Sequence, residues 1–166
     1  ALTRPGDEIL VPDPAWPNFL MMARVLNLVA VTYPLTADTG FLPTAETLEE
    51  LSTARTTVLV LNSPSNPLGA VIGRSRMIEL LSFAESHGLW TVSDECYDEI
   101  CFDGSFVSPA SISPDHVVST YSFSKTYAMT GWRVGYAAAP AQLALTLRDG
   151  QRLQARAGVG DNHLGG

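Results

Sequence analysis

The amino-acid sequence predicts an α/β fold, a three-layer sandwich in which helices cover both faces of a mainly parallel, mixed sheet. Segments with strand composition alternate with segments of helical periodicity along most of the chain. The clearest strand, at residues 56–61, reads Thr-Thr-Val-Leu-Val-Leu with no polar alternation. Such a run is typical of a strand buried on both faces. The polar candidate residues recur just after strands, at the edge where open α/β sheets bind ligands.

The N-terminal part of the chain is predicted to form three strands and two helices. Apolar residues of the first helix fall at helical spacing, and Thr44 precedes the second helix as a suitable N-cap. Between the first strand and the first helix, two prolines flank Trp16 and restrict the backbone around it. The predicted strands cover residues 8–11, 28–33 and 56–61, and the predicted helices cover residues 18–26 and 45–53.

The remainder continues the alternation. A helix at 75–87 precedes Gly88, which suits a C-terminal cap. A loop rich in Gly, Ser and Pro at 103–114 separates two further strands, and Pro140 begins a last helix. The predicted strands of this part cover residues 89–93, 117–121 and 134–139.

Length and composition indicate one globular domain. The chain has 166 residues, 46% hydrophobic and 16% charged, which is enough apolar material for a sizeable core. We expect residues 1–150 to form the core and the Gly-rich tail at 151–166 to stand apart from it, with a tendency to disorder.

Charge and cysteine usage exclude several classes of function. The net charge is −7, with ten basic and seventeen acidic residues and no basic run, which argues against a nucleic-acid partner. No apolar stretch is long enough to span a membrane, and the N-terminus does not read as a signal peptide. Cys96 and Cys101 lack zinc or disulfide spacing, and the three histidines are scattered. We therefore expect a cytoplasmic protein with reduced thiols and without a metal site.

Lys125 is the only lysine in a chain with nine arginines. An arginine is always charged, whereas a partly buried lysine can lose its proton and attack a carbonyl carbon. Ser122, Ser124 and Arg133 supply hydroxyl donors and a fixed cation suited to a phosphate. An amine able to form an imine beside such donors indicates pyridoxal 5′-phosphate (PLP) held as a Schiff base. A solvated surface lysine in an ordinary loop is the alternative.

A second group of candidates follows the strand at 89–93. Asp94 comes directly after this strand, so we expect its carboxylate at the sheet edge. Beside a pyridine nitrogen it would keep that nitrogen protonated. Tyr97 lies three residues further on, within reach of the phenolic oxygen of the cofactor. The alternatives are a solvated loop acid and a tyrosine packed in the core.

The stretch 122–135 resembles the lysine-attachment signature of class I/II aminotransferases, which are fold-type I PLP enzymes. It reads Ser-Phe-Ser-Lys-Thr-Tyr-Ala-Met-Thr-Gly-Trp-Arg-Val-Gly and has every defining position of that signature. Ser-Asp-Glu-Cys-Tyr at 93–97 resembles the pyridinium-binding motif of the family. Asn-Pro-Leu-Gly at 66–69 resembles its Asn-Pro-x-Gly motif, with leucine where threonine is commonest. With Pro-Ala-Trp at 14–16, the resemblance covers about residues 7–140.

The resemblance implies a role for each candidate. Lys125, Asp94 and Tyr97 would be the catalytic residues, with the freed Lys125 amine moving a proton between the substrate α-carbon and the cofactor. Trp16 would stack on the pyridine ring, and Asn66 would donate to the phenolic oxygen. The phosphate would be held by Ser122, Ser124 and Arg133.

The resemblance further implies the large domain of this fold and amino-group transfer between an amino acid and a 2-oxo acid in a homodimer. Aminotransferases of the family are longer than this chain, so we expect an incomplete cofactor-binding core whose activity alone is open. Three other functions stay open as well. They are a PLP-binding regulator without catalysis, a structural remnant without cofactor, and a PLP-dependent lyase or decarboxylase on the same fold.

Overall fold

The fold is built on a mixed sheet. The computed structural model describes residues 2–102, 104 and 106–149, and within these residues the sheet has six strands in the order β2-β1-β3-β4-β5-β6. The first five strands are parallel, and β6 runs antiparallel to β5. The predicted α/β class with a mainly parallel sheet is confirmed. The strands are β1 (Glu8–Asp13), β2 (Val29–Pro34), β3 (Thr56–Asn62), β4 (Trp90–Asp94), β5 (Val117–Ser122) and β6 (Gly135–Ala138).

Helices connect β1 to β2, β2 to β3 and β3 to β4, and their ends follow local capping chemistry. The Thr44 hydroxyl accepts a hydrogen bond from the Thr47 amide at 3.3 Å, which confirms it as the N-cap of the second helix. Gly88 follows the third helix with φ 65°, a left-handed conformation that glycine adopts without strain. The helices are α1 (Asn18–Val25), α2 (Ala45–Leu51), α3 (Arg74–Ser86), the short α4 (Phe123–Thr126) and α5 at residues 141–149.

Two apolar layers cover the central strands. On one face α1 packs through Phe19 and Ala23 against the side chains of β1 and β3. On the other face lie α2 and α3, with Leu48, Met77 and Leu80 as their most buried contributors. Burial of β1 and β3 from both sides explains why their sequences show no polar alternation. The three-layer prediction is therefore confirmed.

The predicted elements form close to the expected positions, with differences at their ends. Helix α2 ends at Leu51 rather than at residue 53, because Ser52 adopts an extended conformation with ψ 143°. Strand β2 is an edge strand and largely exposed, apart from Tyr33, whose hydroxyl donates to the Val60 carbonyl at 2.6 Å. The loop predicted at 103–114 contains a 3₁₀ turn, Pro109–Ser111. The tail predicted at 151–166 lies outside the described residues.

Strand β6 approaches β5 more closely than a side chain would allow. A Cβ atom placed on Gly135 would collide with the carbonyl oxygen of Tyr121, a main-chain atom. Because Gly135 has no side chain, it can pair with Ser122, the last residue of β5, three positions before Lys125. Across the described part of the chain, no helix is both long and apolar enough to cross a membrane.

Candidate active site at the carboxyl edge of the sheet

A cavity of about 680 Å³ opens at the carboxyl edge of the sheet, on the face that carries α1. This volume is typical of a site for a small molecule or cofactor. Part of its wall is apolar and continues the packing layer around Phe19. Much of the polar part of the wall is supplied by the ends of β4 and β5 and by the turns that follow the strands. Apolar lining residues include Ile9, Phe19, Ala23, Val58, Val60 and Val92.

All eight residues predicted for the site line this one cavity, although they span positions 16 to 133 of the chain. They come together because β1, β3, β4 and β5 are parallel and deliver their following loops to the same edge. The roles expected for them remain predictions. The residues are Trp16 after β1, Asn66 after β3, Asp94 and Tyr97 at the end of β4, and Ser122, Ser124, Lys125 and Arg133 from β5 onward.

Asp94 is the acidic group of the cavity wall. Its Oδ1 atom accepts a hydrogen bond from the Cys96 amide at 3.1 Å. Burial raises the pKa of the Asp94 carboxyl; the Cys96 amide opposes this rise and the neighbouring Glu95 carboxylate adds to it. A cation placed beside Asp94 in the cavity would offset the cost of its buried charge.

Asn62, at the end of β3, anchors two parts of the site at once. Its side-chain amide donates to the Asp94 carbonyl at 3.2 Å, and its Oδ1 accepts from the Asn66 amide at 2.8 Å. The Asp94 carbonyl also accepts from the Ser63 amide at 3.2 Å. The backbone carrying Asp94 and the turn carrying Asn66 are thus fixed relative to each other.

Lys125 stands at the rim of the cavity. Its Nζ atom lies 5.8 Å from the centroid of the Tyr97 ring, within the range of a cation–π contact. The side chain is exposed, whereas the sequence argument supposed partial burial. This difference follows from the open rim, because Tyr127, Trp132 and Arg133 around it are exposed as well.

The residues predicted to bind phosphate lie on the turn that follows β5. The Ser122 hydroxyl accepts from the Ser124 amide at 3.1 Å, which caps α4 and orders this turn. Arg133 has a left-handed backbone, φ 52° and ψ 47°, and its Nη1 donates to the Thr130 carbonyl at 3.0 Å. Ser122, Ser124 and Arg133 thus line one cavity from two turns.

Trp16 forms the wall of the cavity next to α1. Its ring packs edge-to-face against Phe19, with centroids 5.7 Å apart and an interplanar angle of 89°. The indole is 40% exposed, so it is held at its edge without being buried in the core. The stacking role of Trp16 stays a prediction, and packing in the core is its alternative.

Several residues that line the cavity were not predicted. Thr120 lies two positions before Ser122 on β5, so the two-residue period of a strand could have placed it on the cavity face. Cys96 lies between two predicted residues, and burial raises the pKa of its thiol, although the Ser122 hydroxyl and Lys125 lower it. Nothing in the sequence singles out Thr130. Among the described residues, no group of three or more His, Cys, Asp or Glu side chains could hold a metal ion.

Comparison with known proteins gives consistent matches. The family model for aminotransferase class I and II matches residues 1–162, including part of the tail segment. The aspartate/prephenate aminotransferase of Thermus thermophilus is 37% identical over 143 residues, which are 86% of this chain and 37% of that protein. The arginine–pyruvate transaminase of Pseudomonas aeruginosa is 39% identical over 150 residues, which are 89% of this chain and 38% of that protein.

The fold comparison agrees with these matches. A solved structure of Thermus thermophilus aspartate aminotransferase, a double mutant, has a TM-score of 0.90 and 34% identity, and covers 93% of this chain and 40% of that one. The chain thus spans about two-fifths of the length of the relatives that it matches. Since the family match extends over nearly the whole sequence and includes every predicted site residue, the chain belongs to the aminotransferase class I and II family.

Proposed function

We propose that this chain forms the cofactor-binding part of a PLP-dependent aminotransferase that transfers an amino group between an amino acid and a 2-oxo acid. The single observation that carries the proposal is the convergence of the only lysine with Asp94, Tyr97, Asn66 and Arg133 in one cavity. The names of the matched relatives, aminotransferases and a transaminase, favour transfer over lyase or decarboxylase chemistry. The proposed cofactor-binding core comprises residues 1–150. The parent enzyme is proposed to be a cytoplasmic homodimer. Both proposals rest on family membership.

The donor set of the cavity fits PLP. A primary amine suits the aldehyde, and a partly buried carboxylate suits a protonated ring nitrogen. A guanidinium and two serine hydroxyls suit a phosphate dianion. The half-exposed indole of Trp16 and the apolar wall suit an aromatic ring.

The roles of the side chains follow from their chemistry. When bound, PLP supplies an aldehyde that condenses with amines and a ring that accepts electrons from the substrate α-carbon. Lys125 Nζ would hold the cofactor and then take up and return the α-proton. Asp94 would hold a proton on the ring nitrogen, and Tyr97 and Asn66 would orient the ring through its phenolic oxygen.

The test is to incubate the purified chain with PLP, reduce with borohydride and map the modified peptide by mass spectrometry. We expect a PLP adduct on Lys125, since it is the only lysine and the N-terminal amine is the only competing primary amine. Lys125→Arg keeps the positive charge but cannot form the bond, so its adduct should be absent. Modification confined to the N-terminus in the wild-type chain would reject the proposal.

A further inference from the structure

Asn62, the last residue of β3, bonds to two residues of the proposed site with one side chain. It is 7% exposed and is not among the described residues that line the cavity. Its Nδ2 atom donates to the Asp94 carbonyl at 3.2 Å, and its Oδ1 atom accepts from the Asn66 main-chain amide at 2.8 Å. Asp94 and Asn66 both line the cavity, so Asn62 lies directly behind the site.

The chemistry of these two partners explains the choice of asparagine. A main-chain carbonyl only accepts a hydrogen bond and a main-chain amide only donates one, so a side chain that bonds to both needs a donor and an acceptor. Asparagine carries both on one short planar group. An ionised aspartate keeps only acceptors, and leucine keeps the size with neither group. Substitutions at position 62 can therefore remove one bond or both.

The two partners depend on Asn62 to different degrees. The Asp94 carbonyl also accepts from the Ser63 amide at 3.2 Å, and the pairing of β3 with β4 extends as far as Asp94 itself. Asp94 is therefore held by several bonds. Among the described residues, the Asn66 amide has Asn62 Oδ1 as its one acceptor. Loss of the Asn62 side chain should thus displace Asn66 more than Asp94.

The turn that carries Asn66 is closed by its own hydrogen bonds. The Ser65 amide donates to the Ala70 carbonyl, and the Ser65 carbonyl accepts from the Gly69 amide, each at 2.9 Å. These bonds shape the turn, whereas the bond from the Asn66 amide to Asn62 Oδ1 joins it to the end of β3. A turn with this internal closure moves as a unit when its connection to the strand is lost.

We propose that Asn62 is a positioning residue whose side-chain oxygen fixes the turn carrying Asn66 and thereby places the Asn66 side chain for the phenolic oxygen of the cofactor. The inference rests on the proposed function, which assigns that contact to Asn66. Asn62 touches neither cofactor nor substrate. It acts through the main chain of Asn66.

The first experiment follows hydrogen exchange of the Asn66 amide by NMR in the full chain without cofactor. Asn62→Ala removes the acceptor, so this amide should exchange about tenfold faster, as expected for one lost hydrogen bond. Asn62→Asp keeps an acceptor and loses only the donor to Asp94, so the exchange rate should stay near that of the wild-type chain. An unchanged rate in folded Asn62→Ala would overturn the proposal.

Ser63→Ala is the matched control, because it removes a buried hydrogen bond from the adjacent residue. The Ser63 hydroxyl accepts from the Ile72 amide at 2.9 Å, at the other end of the same loop. Ser63→Ala should accelerate exchange at Ile72 and leave the Asn66 amide unchanged. Equal acceleration at Asn66 in both variants would indicate general loosening of the loop and reject the positioning role. If Asn62→Ala does not fold, Asn62→Leu replaces it, with the same expectation.

The second experiment measures the pH dependence of the absorbance of bound PLP. A hydrogen bond from Asn66 would stabilise the anionic phenolic oxygen, and its loss leaves that oxygen more basic and able to hold a proton to higher pH. We expect Asn62→Ala to raise the pH midpoint by about one unit, and to have no further effect once Asn66→Ala is present. No shift, or equal shifts with and without the Asn66 side chain, would contradict the proposal.

The two experiments separate failure of this inference from failure of the proposed function. If the wild-type chain does not bind PLP, the proposed function fails and the cofactor role of Asn62 fails with it, while the Asn66 exchange rates still show whether Asn62 holds the turn. If the chain binds PLP and folded Asn62→Ala changes neither the exchange rate nor the midpoint, the inference fails and the proposed function stands.

Discussion

Arg133 illustrates at the scale of a single residue how function and stability compete. Its left-handed backbone costs a residue with a Cβ atom about 1–2 kcal/mol. Arg133 lines the cavity, and its guanidinium donates a hydrogen bond to the Thr130 carbonyl. Local strain of this kind persists where a side chain is needed, which agrees with the proposed contact to phosphate.

Replacing Arg133 separates these two effects. Arg133→Gly and Arg133→Ala both remove the guanidinium, and each should weaken PLP binding by about tenfold or more, as expected for loss of a charge-assisted hydrogen bond. Only glycine relieves the strain, so Arg133→Gly should have a free energy of unfolding about 1 kcal/mol higher than Arg133→Ala. Urea unfolding of the chain without cofactor gives the comparison. Equal stability of the two variants would show that position 133 is unstrained.

Strand β3 sets the stability of the molecule at the scale of elements. It pairs with β1 on one side and β4 on the other, and its side chains enter both apolar layers. Leu59 is 0% exposed and belongs to the apolar layer that β3 forms with α2 and α3. Its neighbours are close-packed, so they cannot fill a void left there without moving.

Leu59→Ala should lower the free energy of unfolding by about 2–5 kcal/mol, because it removes buried methyl groups and leaves a cavity. Leu20, which is 38% exposed on α1, provides the control, since Leu20→Ala removes the same atoms from a half-solvated position. Chemical denaturation monitored by tryptophan fluorescence measures both. A loss at Leu59 no greater than that at Leu20 would contradict the central role of β3.

Elements with strong local chemistry could be predicted, and properties set by the rest of the molecule could not. The apolar run of β3, the Thr44 cap and the left-handed Gly88 depend on neighbouring residues in the chain, and each forms as expected. The site residues were found from motifs, and the parallel sheet explains their convergence. Exposure depends on three-dimensional neighbours, so the open environment of Lys125 and the buried position of Glu95 were not foreseen.

At the scale of the whole molecule, two acids at opposite edges of the sheet, Glu8 and Asp94, are expected to respond to pH in opposite directions. At the amino edge, the Thr53 hydroxyl lowers the pKa of Glu8 and the Arg55 guanidinium lowers it further, while burial opposes them. At the carboxyl edge, burial raises the pKa of Asp94. Each shift links the ionisation of the group to folding.

The signs of these two contributions differ. The stabilisation from Glu8 is complete above its ordinary value of 4.5 and is lost as the pH falls through its lowered pKa. The contribution of Asp94 is complete below its ordinary value of 3.8 and is lost as the pH rises through its raised pKa. Glu8→Gln should therefore flatten the loss of stability in strong acid. Asp94→Asn should remove a gain in stability on mild acidification.

Urea unfolding at a series of pH values, from neutral to about pH 3, checks both expectations. The wild-type chain and each variant are compared at the same ionic strength, because salt screens the exposed part of the Arg55 interaction. A variant Glu8→Gln that keeps the full acid slope would show that other carboxylates cause the acid unfolding.

Gly135 limits the routes by which this chain could acquire new specificity. The atom that excludes a side chain there belongs to the main chain of Tyr121, so no change of rotamer can make room. The restriction comes from backbone geometry and is the same whichever substrate is selected. Substitutions can therefore vary the loops around the cavity, but position 135 has to stay glycine, although a glycine offers no side chain to any ligand.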